Sequence, residues 1–579
     1  MRHLIVFALV VATLTAPLVP AAAAPAWMPV AEVRPGMRGV ARTVIAGTKV
    51  ESFDVTILEV VPGAGPAGDL ILIRASGALI VRTGGIAAGM SGSPVYVNGR
   101  LVGAIGYGWA FADHSLGLVT PIEAMLRALP PGRSERRGLS TPVQAGGRRI
   151  ERVVIASTAA GVRAAEAAAA GGVAVMVPLA RPLLVSAMGS RATELLSAEL
   201  GPLGVSPMQG GAGSSSNVHP DLVPGSAIGV QLVRGDLNIV SIGTLTYRDG
   251  DTVLAFGHPF LNRGNTHYLL TAATIHGVIP SESFPFKIGS AGAPVGVVTE
   301  DRRSAIAGRL GVLPLMVGVR TTVTDADRGR STTLTTQVLR DTQLGPVLTL
   351  SSALEAVDRA LDRVGEGTAR VRITMRARGL DGPLVRENVF YHARDIGGAA
   401  MLELPEALRL LFANEFVRTG PLDVAIDVEV RQRRQTAAVT EAELERPRVR
   451  MGETLSVRVS LRPFQGPAET RLVEIAVPDG FPLGQTTVLI RAGGRPTPEQ
   501  GLPLLLTQEP VESTAGSAAE QLTAFADRDR NTDLIVELIP GAARFPDSSA
   551  AAPRPVRARI ATPWVLRGRV QLSVGVDPR

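Results

Sequence analysis

Short runs of alternating hydrophobic and polar residues, separated by Gly and Pro, make up most of the chain. Between residues 27 and 129 they include FDVTILEVV, LILIRAS and LVGAIGYG. Side chains of a β-strand point alternately to opposite faces, so each run predicts a strand with one buried face. Short strands joined by tight turns are typical of a small barrel or sandwich. We therefore predict a β half-barrel over residues 27–129.

The alternation returns in residues 226–319 and predicts a second β half-barrel there. Residues 130–225, between the two, read as a Pro/Gly/Arg-rich linker followed by an α/β insertion. Residues 320–420 are predicted to be a mixed α/β region, and residues 421–579 an immunoglobulin-like β-sandwich. The predicted fold class is therefore mainly β. The predicted helices span residues 159–170, 191–200, 352–364, 405–416 and 517–527.

The first 23 residues have the pattern of an export signal. Arg2 and His3 precede an apolar run over residues 4–18, and four alanines at 21–24 offer small residues for cleavage. The run is shorter than the roughly 20 residues that span a bilayer, although a retained anchor is the alternative. The chain is therefore expected to be exported to the periplasm or the cell exterior, without a stable transmembrane anchor.

Composition removes several kinds of chemistry. The chain of 579 residues contains no Cys, which excludes thiol catalysis, thiolate metal sites and disulfides. Its net charge of +7 comes from dispersed arginines, and only 4% of its residues are aromatic, which argues against nucleic-acid binding. No HExxH motif or paired helical histidines are present, so neither a metal nor another cofactor is expected.

Ser91, in the segment GMSGSP, is the candidate nucleophile. Glycines at positions 89 and 92 allow a tight turn with positive φ and a close approach by substrate. A nucleophilic serine also needs two N–H groups directed at the developing oxyanion, and we assign these to Gly89 and Ser91. The motif is not GxSxG, so an α/β-hydrolase is not supported.

The segment GGIAAGMSGSPVYVNGRLVGAI, followed by LGLVTPIEAML, resembles the SpoIVB peptidase family (peptidase S55). It is also similar to the GDSGGP neighbourhood of chymotrypsin-like peptidases. The resemblance covers about residues 33–126. It implies a chymotrypsin-like double half-barrel and a serine endopeptidase that cleaves a narrow range of protein targets. A protein or peptide substrate is thus the expected partner, and the C-terminal domain could bind an envelope protein.

His258 is the candidate general base. It follows Gly257 at the end of the apolar strand in IGTLTYRDGDTVLAFGHPF. At such a position the strand holds the backbone rigidly and the side chain is accessible to substrate, as a general base requires. That stretch is similar to the segment that carries the catalytic His in the SpoIVB family. A loop histidine that caps a strand is the alternative. The remaining histidines after the signal are less suited by their context: His114, His219, His267, His276 and His392.

The chain departs from the family in two ways. The family's His half precedes its Ser half, whereas Ser91 precedes His258 here, so the two half-barrels are predicted to pack with exchanged chain order. The family also carries an Asp fifteen residues before the nucleophile, where this chain has Ser76. Asp301 is the candidate replacement, because its distance along the chain from His258 is similar to that in chymotrypsin-like triads.

Alternatives to Asp301 remain open. The residue could form a surface ion pair with the neighbouring Arg302 or Arg303, and Glu300 and Asp251 are weaker candidates for the acid. A Ser–His dyad without an acid is also possible. A Ser–Lys pair would have to use one of the two lysines in the chain, Lys49 or Lys287, and it is not favoured.

Two hypotheses about function follow. The favoured one is an exported serine endopeptidase that acts in the cell envelope through a dyad or triad of Ser91, His258 and Asp301. The alternative is a catalytically inactive binding or scaffold protein that keeps the peptidase-like barrel. The missing Asp, the exchanged order and the long β-rich C-terminal region favour this alternative.

Overall fold

The computed structural model describes eleven ranges of residues: 27–65, 68–109, 113–129, 143–145, 148–150, 152–155, 173–179, 181–211, 221–494, 515–540 and 555–579. The predicted signal, the predicted helix at 159–170 and His219 lie outside them. The mainly β class is confirmed, with 54% of the structure in strands and 15% in helices. Within the described ranges, no helix has both the length and the apolar character needed to cross a bilayer.

The first unit is a closed barrel rather than the predicted half-barrel. Its strands pair in the order β4-β1-β2-β3-β6-β5, and pairing of β4 with β5 closes the ring. Alternate residues of these strands fill its interior, as the sequence pattern predicts. The elements are β1 (Arg38–Val44), β2 (Val50–Gly65), β3 (Gly68–Ser76), α1 (Ala78–Thr83), β4 (Pro94–Val97), β5 (Arg100–Gly108), β6 (Leu116–Pro121) and α2 (Ile122–Leu126), after a 3₁₀ turn at Val30–Glu32.

The connecting segment contributes strands to both barrels. Its elements are β7 (Val143–Ala145), β8 (Arg148–Ile150), β9 (Arg152–Ile155), β10 (Val173–Pro178), β11 (Arg181–Ser186), α3 (Ser190–Leu200) and β12 (Val205–Gln209), with a 3₁₀ turn at Gly201–Leu203. Strand β10 pairs with β5 of the first barrel, whereas β11 and β12 extend the sheet of the second barrel. The predicted helix at 191–200 corresponds to α3.

The second unit closes in the same way. Its elements are β13 (Ala227–Gly235), β14 (Asn238–Asp249), β15 (Thr252–Ala255), β16 (Gly264–Ile279), β17 (Phe286–Arg302) and β18 (Ala305–Leu310). They pair in the order β14-β15-β18-β17-β16-β13, and pairing of β13 with β14 completes a ring. A buried apolar cluster with members from both units, among them Leu101, Met125 and Leu254, joins the two barrels.

The sheet of the second barrel continues into the mixed region through five more strands. The elements are β19 (Met316–Asp325), β20 (Arg330–Leu339), α4 (Leu344–Leu361), β21 (Gly367–Arg378), β22 (Leu384–His392), α5 (Ile396–Ala400), α6 (Leu404–Phe412) and β23 (Gly420–Arg431). Helix α4 begins before the predicted helix at 352–364. Pro346 is compatible with this earlier start because it lies in the first turn of the helix, where proline is tolerated. Helix α6 ends before the predicted limit of residue 416.

The C-terminal region consists of two sheets around one core. Its elements are β24 (Thr436–Leu444), β25 (Arg448–Arg450), β26 (Thr454–Pro463), β27 (Glu469–Ala476), β28 (Gly484–Ala492), α7 (Ala518–Ala526), β29 (Asp533–Pro540), β30 (Val556–Ala561), β31 (Val565–Arg567) and β32 (Arg569–Asp577). An immunoglobulin-like topology is not confirmed. Parallel pairs between β24 and β31 and between β25 and β32 tie the start of the region to its end.

A buried arginine joins this region to the mixed region. The Arg386 side chain on β22 is 1% exposed and forms two 2.8 Å hydrogen bonds with the Glu403 carboxylate. Its remaining N–H groups donate to the carbonyls of Ala526, Arg528 and Asp529, at the end of α7 and just after it. These bonds satisfy the buried guanidinium, and they hold α7 against β22.

Arg386→Met should lower the free energy of unfolding by about 3–5 kcal/mol, because it leaves the Glu403 carboxylate without its buried partner. Arg376→Met is the matched control, since Arg376 is 67% exposed and 4.0 Å from Asp423. That control should change stability by less than about 1 kcal/mol. Urea unfolding followed by circular dichroism measures both variants. Equal midpoints for the two would contradict the assignment.

Candidate active site

Ser91 lies in a tight turn between α1 and β4. The N–H of Ser93 donates to the carbonyl of Met90 at 2.9 Å, which closes a turn with Ser91 and Gly92 at its centre. Gly92 has φ of +93°, the conformation that the third residue of a type II turn requires. The glycine predicted from the sequence therefore has a definite role, and it fixes the backbone on which Ser91 is presented.

Two backbone N–H groups of the segment around this turn have no acceptor among the described residues. The N–H groups of four residues in the segment 88–93 donate to backbone carbonyls. Ala88 donates to Pro285 at 2.7 Å, and Met90 donates to Ala87 at 2.9 Å. Gly92 donates to Ile105 at 2.8 Å, and Ser93 donates to Met90 at 2.9 Å. Gly89 and Ser91 are the two positions of the segment whose N–H has no acceptor among the described residues. These are the two groups that the sequence assigns to an oxyanion hole.

The second barrel holds the serine turn in place through strand β14. The N–H of Thr244 donates to the carbonyl of Ser91 at 2.8 Å, and its hydroxyl donates to the carbonyl of Gly89 at 3.0 Å. The hydroxyl of Thr246 donates to the carbonyl of Gly92 at 2.7 Å. Three carbonyls of the turn are thus fixed by a strand that lies more than 150 residues later in the chain.

His258 follows a strained turn at the end of β15. The N–H of Gly257 donates to the carbonyl of Ala255 at 2.9 Å, so Phe256 is the central residue of a γ-turn. Its φ of +70° is rare for a residue with a bulky side chain. Strain of this kind persists only where the surroundings enforce it, and it is concentrated at functional sites. Here the Thr120 hydroxyl enforces it by donating to the carbonyl of Gly257 at 2.5 Å.

The contacts of the His258 ring define its tautomer. The ring is 1% exposed, and its Nδ1 lies 2.8 Å from the carbonyl oxygen of Pro259. A carbonyl only accepts hydrogen bonds, so Nδ1 carries a proton, and in the neutral ring the lone pair is on Nε2. The rings of Phe256 and Tyr107 flank the imidazole at centroid distances of 5.7 and 6.3 Å. A neutral imidazole with its lone pair on Nε2 is the form that a general base requires.

The serine turn and the histidine turn meet at strand β5. The carbonyl of Ile105 accepts the N–H of Gly92, and it would lie 3.1 Å from a Cβ atom placed on Gly257. A Cβ atom on Gly92 would lie 2.6 Å from the backbone nitrogen of Phe256. The structure therefore brings the turns of Ser91 and His258 together although they are far apart in the sequence. Ser91, like His258, is buried, with an exposed fraction of 4%.

Asp301 contacts the backbone that follows His258. Its carboxylate accepts the N–H groups of Phe260 at 2.8 Å and Leu261 at 2.7 Å, on different oxygens. Burial raises the pKa of Asp301, and these backbone hydrogen bonds offset part of the increase. The oxygen opposite Nδ1 of His258 belongs to Pro259 instead. This geometry gives Asp301 the position of a residue that orients the histidine turn, and its role as the catalytic acid stays a prediction.

The other candidates lie outside this arrangement. Ser76 is exposed at the end of β3, and Glu300 forms an ion pair with Arg302 at 2.7 Å. Nε2 of His114 contacts the carbonyl of Glu282 at 3.1 Å, and Nε2 of His276 contacts the hydroxyl of Ser290 at 2.7 Å. Within the described ranges, no group of three or more His, Asp or Glu side chains could hold a metal ion.

Lys287 is the residue that sequence reasoning did not favour and that the structure places at the site. It is 1% exposed on β17, and its side chain runs along Gly89. Its amine donates to the Thr43 hydroxyl at 2.8 Å. Burial lowers the pKa of Lys287 to about 7. The signal available in the sequence is the scarcity of lysine, since Lys49 is the other lysine in the chain.

Two six-stranded barrels thus meet at a glycine-flanked serine turn. Residues 21–126 match the family model described as SpoIVB peptidase S55, which confirms the family suggested by the serine motif. This segment, which contains Gly89 and Ser91, is therefore a domain of the S55 family. The match ends before His258 and Asp301. No curated protein and no solved structure matches the chain.

Gly92→Ala should displace the serine turn, because the new Cβ would lie 2.0 Å from the carbonyl oxygen of Thr244. Gly99→Ala is a matched control: Gly99 also has positive φ, +75°, but nothing lies within 4 Å of its Cβ position. The control should cost about 1–2 kcal/mol from backbone strain alone, and Gly92→Ala at least twice as much. Thermal unfolding compares the two variants. A similar loss in both would show that the turn tolerates displacement.

Proposed function

We propose that the chain is an exported serine endopeptidase of the SpoIVB (S55) type that cleaves protein substrates in the cell envelope. Ser91 is its nucleophile, His258 its general base, and the N–H groups of Gly89 and Ser91 form its oxyanion hole. The observation that carries the proposal is the hydrogen bonding of the serine turn. Of the six N–H groups in residues 88–93, the two left over are those of Gly89 and Ser91, as the oxyanion hole requires.

The proposed reaction follows from this arrangement. Ser91 Oγ attacks the carbonyl carbon of the scissile peptide while Nε2 of His258 takes the hydroxyl proton. The N–H groups of Gly89 and Ser91 donate to the resulting oxyanion. As the C–N bond breaks, the imidazolium returns its proton to the leaving amine. Water then attacks the acyl ester, again giving a proton to Nε2, and the carboxylic acid product leaves as Ser91 recovers its hydrogen.

The group opposite Nδ1 of His258 affects how strong a base the histidine is. In a triad, a carboxylate stabilises the imidazolium formed during the reaction. Here the carbonyl of Pro259 accepts the Nδ1 proton at 2.8 Å, and Asp301 holds the backbone of the same turn. A neutral carbonyl stabilises a cation less than a carboxylate does. The proposed enzyme thus functions as a dyad oriented by Asp301, with a weaker base than a full triad provides.

The burial of the site favours a second candidate function. Ser91 and His258 are 4% and 1% exposed, so little of either side chain is accessible to a polypeptide in this structure. A non-catalytic binding or scaffold protein of the cell envelope that kept the peptidase barrel would need no access to them. In either case the C-terminal region is the surface proposed to bind substrate or an envelope protein.

Labelling with a fluorophosphonate probe separates the two functions. The purified mature protein is expected to react at Ser91, because an activated serine attacks the probe as it attacks a peptide carbonyl. Labelling should be lost in Ser91→Ala and reduced at least a hundredfold in His258→Ala. His267→Ala should label like the wild type. A folded wild type that does not label would support the scaffold function.

Asp301→Asn should slow labelling by at least tenfold. An amide has one accepting oxygen, and the N–H groups of Phe260 and Leu261 donate to different oxygens of Asp301, so one N–H would face an NH₂ group. The pH midpoint of labelling should stay at the wild-type value, because Asp301 acts on the turn and not on the imidazolium. Asp251→Asn, at an exposed position, is the control. A midpoint that moves to lower pH would identify Asp301 as the catalytic acid.

A further inference from the structure

The chain uses lysine at two positions and arginine at all other basic ones. Lysine and arginine together number 59, and the lysines are Lys49 and Lys287. Lys49 is exposed in the loop after β1, whereas Lys287 is 1% exposed. An arginine keeps its proton in any protein environment, but a buried lysine can lose its proton near neutral pH. The one interior lysine is therefore a group that arginine could not replace.

Lys287 lies directly under the serine turn and contacts it in two ways. Its backbone N–H donates to the carbonyl of Ala88 at 2.9 Å, and that carbonyl belongs to the peptide unit that carries the Gly89 N–H. Its side chain covers Gly89 so closely that a Cβ atom there would be 3.0 Å from Cδ of the lysine. The orientation of one proposed oxyanion donor thus depends on Lys287.

The surroundings of the amine contain little that could stabilise a charge. Thr43 on β1 is the hydrogen-bond partner that the described residues give it, at 2.8 Å. Gly89 covers its stem, Val278 lies opposite on β16, and none of these residues is ionisable. Burial alone lowers the pKa of Lys287 to about 7. An ammonium group has three N–H donors, so protonation leaves donors without acceptors in the interior.

The buried amine lowers stability. Between pH 7 and about 10.4 the unfolded chain binds a proton at this lysine that the folded chain does not, so stability rises with pH in this window. Below pH 7 the folded chain is protonated as well, and the full destabilisation applies. A methionine would fill a similar volume without this effect. Packing alone therefore does not account for a lysine at this position.

We propose that Lys287 is a positioning residue for the serine turn, and that the turn is set for catalysis only while its amine is uncharged. The inference rests on the proposed peptidase function. The neutral amine holds β17 to Thr43 on β1 and keeps its stem against Gly89. Protonation creates an ammonium with too few acceptors, which draws in water or moves past Gly89 and so displaces the oxyanion N–H. Falling pH thereby inactivates the site through protonation of Lys287.

The test compares labelling rates of the full mature chain with the fluorophosphonate probe from pH 5.5 to 9. The wild-type rate is expected to fall below about pH 7 as Lys287 is protonated. Lys287→Met should label at least tenfold more slowly at pH 8, lose one proton from the pH dependence of its rate, and melt at a higher temperature at pH 6. Lys49→Met is the matched control and should behave like the wild type.

Two further measurements keep the inference testable if Lys287→Met does not fold. In the wild type labelled with ¹³C at lysine Cε, one of two signals should titrate near pH 7, and Thr43→Val should shift it while slowing the probe reaction. Wild-type rates and a wild-type pH profile in Lys287→Met would overturn this inference but not the proposed function. A Lys287 signal that titrates near pH 10 would have the same consequence. Absence of labelling in a folded wild type would overturn the proposed function, and this inference with it.

Discussion

The hydrogen bonds from Thr244 and Thr246 to the serine turn are the contact on which the site depends. The turn belongs to the first barrel, but the groups that hold its carbonyls belong to β14 of the second barrel. Neither barrel alone defines the conformation of Ser91. The site is therefore a property of the interface, and every feature that lets the two barrels approach closely contributes to its geometry.

The two barrels approach each other closely because glycines lie at their interface and because one neighbouring residue has a strained backbone. A Cβ atom on Gly106 would lie 2.4 Å from the carbonyl oxygen of Gly257, and one on Gly92 would lie 2.0 Å from that of Thr244. Glycine at these two positions lets backbone contact backbone between the barrels. Phe256 holds a positive φ beside them, which costs about 1–3 kcal/mol and is offset by the apolar packing of its ring in the core.

The serine turn, most strands and the mainly β class follow from the sequence, because alternation and glycine position are local signals. Closure of the barrels does not, since pairing of β4 with β5 and of β13 with β14 also depends on how each sheet coils. The sequence indicates Asp301 as a candidate acid, but its burial and its backbone partners are set by the tertiary fold. The same limit applies to Lys287. The sequence shows that lysine is scarce in this chain, but it does not show that Lys287 is buried.

The same hydrogen bonds also limit how far the site can rearrange. Each contributes about 1 kcal/mol net, so losing the three that join Thr244 and Thr246 to the turn would cost about 3 kcal/mol. Their loss would also release the carbonyls of Gly89, Ser91 and Gly92, and with them the orientation of the Gly89 and Ser91 N–H groups. A substrate of the proposed peptidase must therefore reach Ser91 while these three hydrogen bonds remain in place.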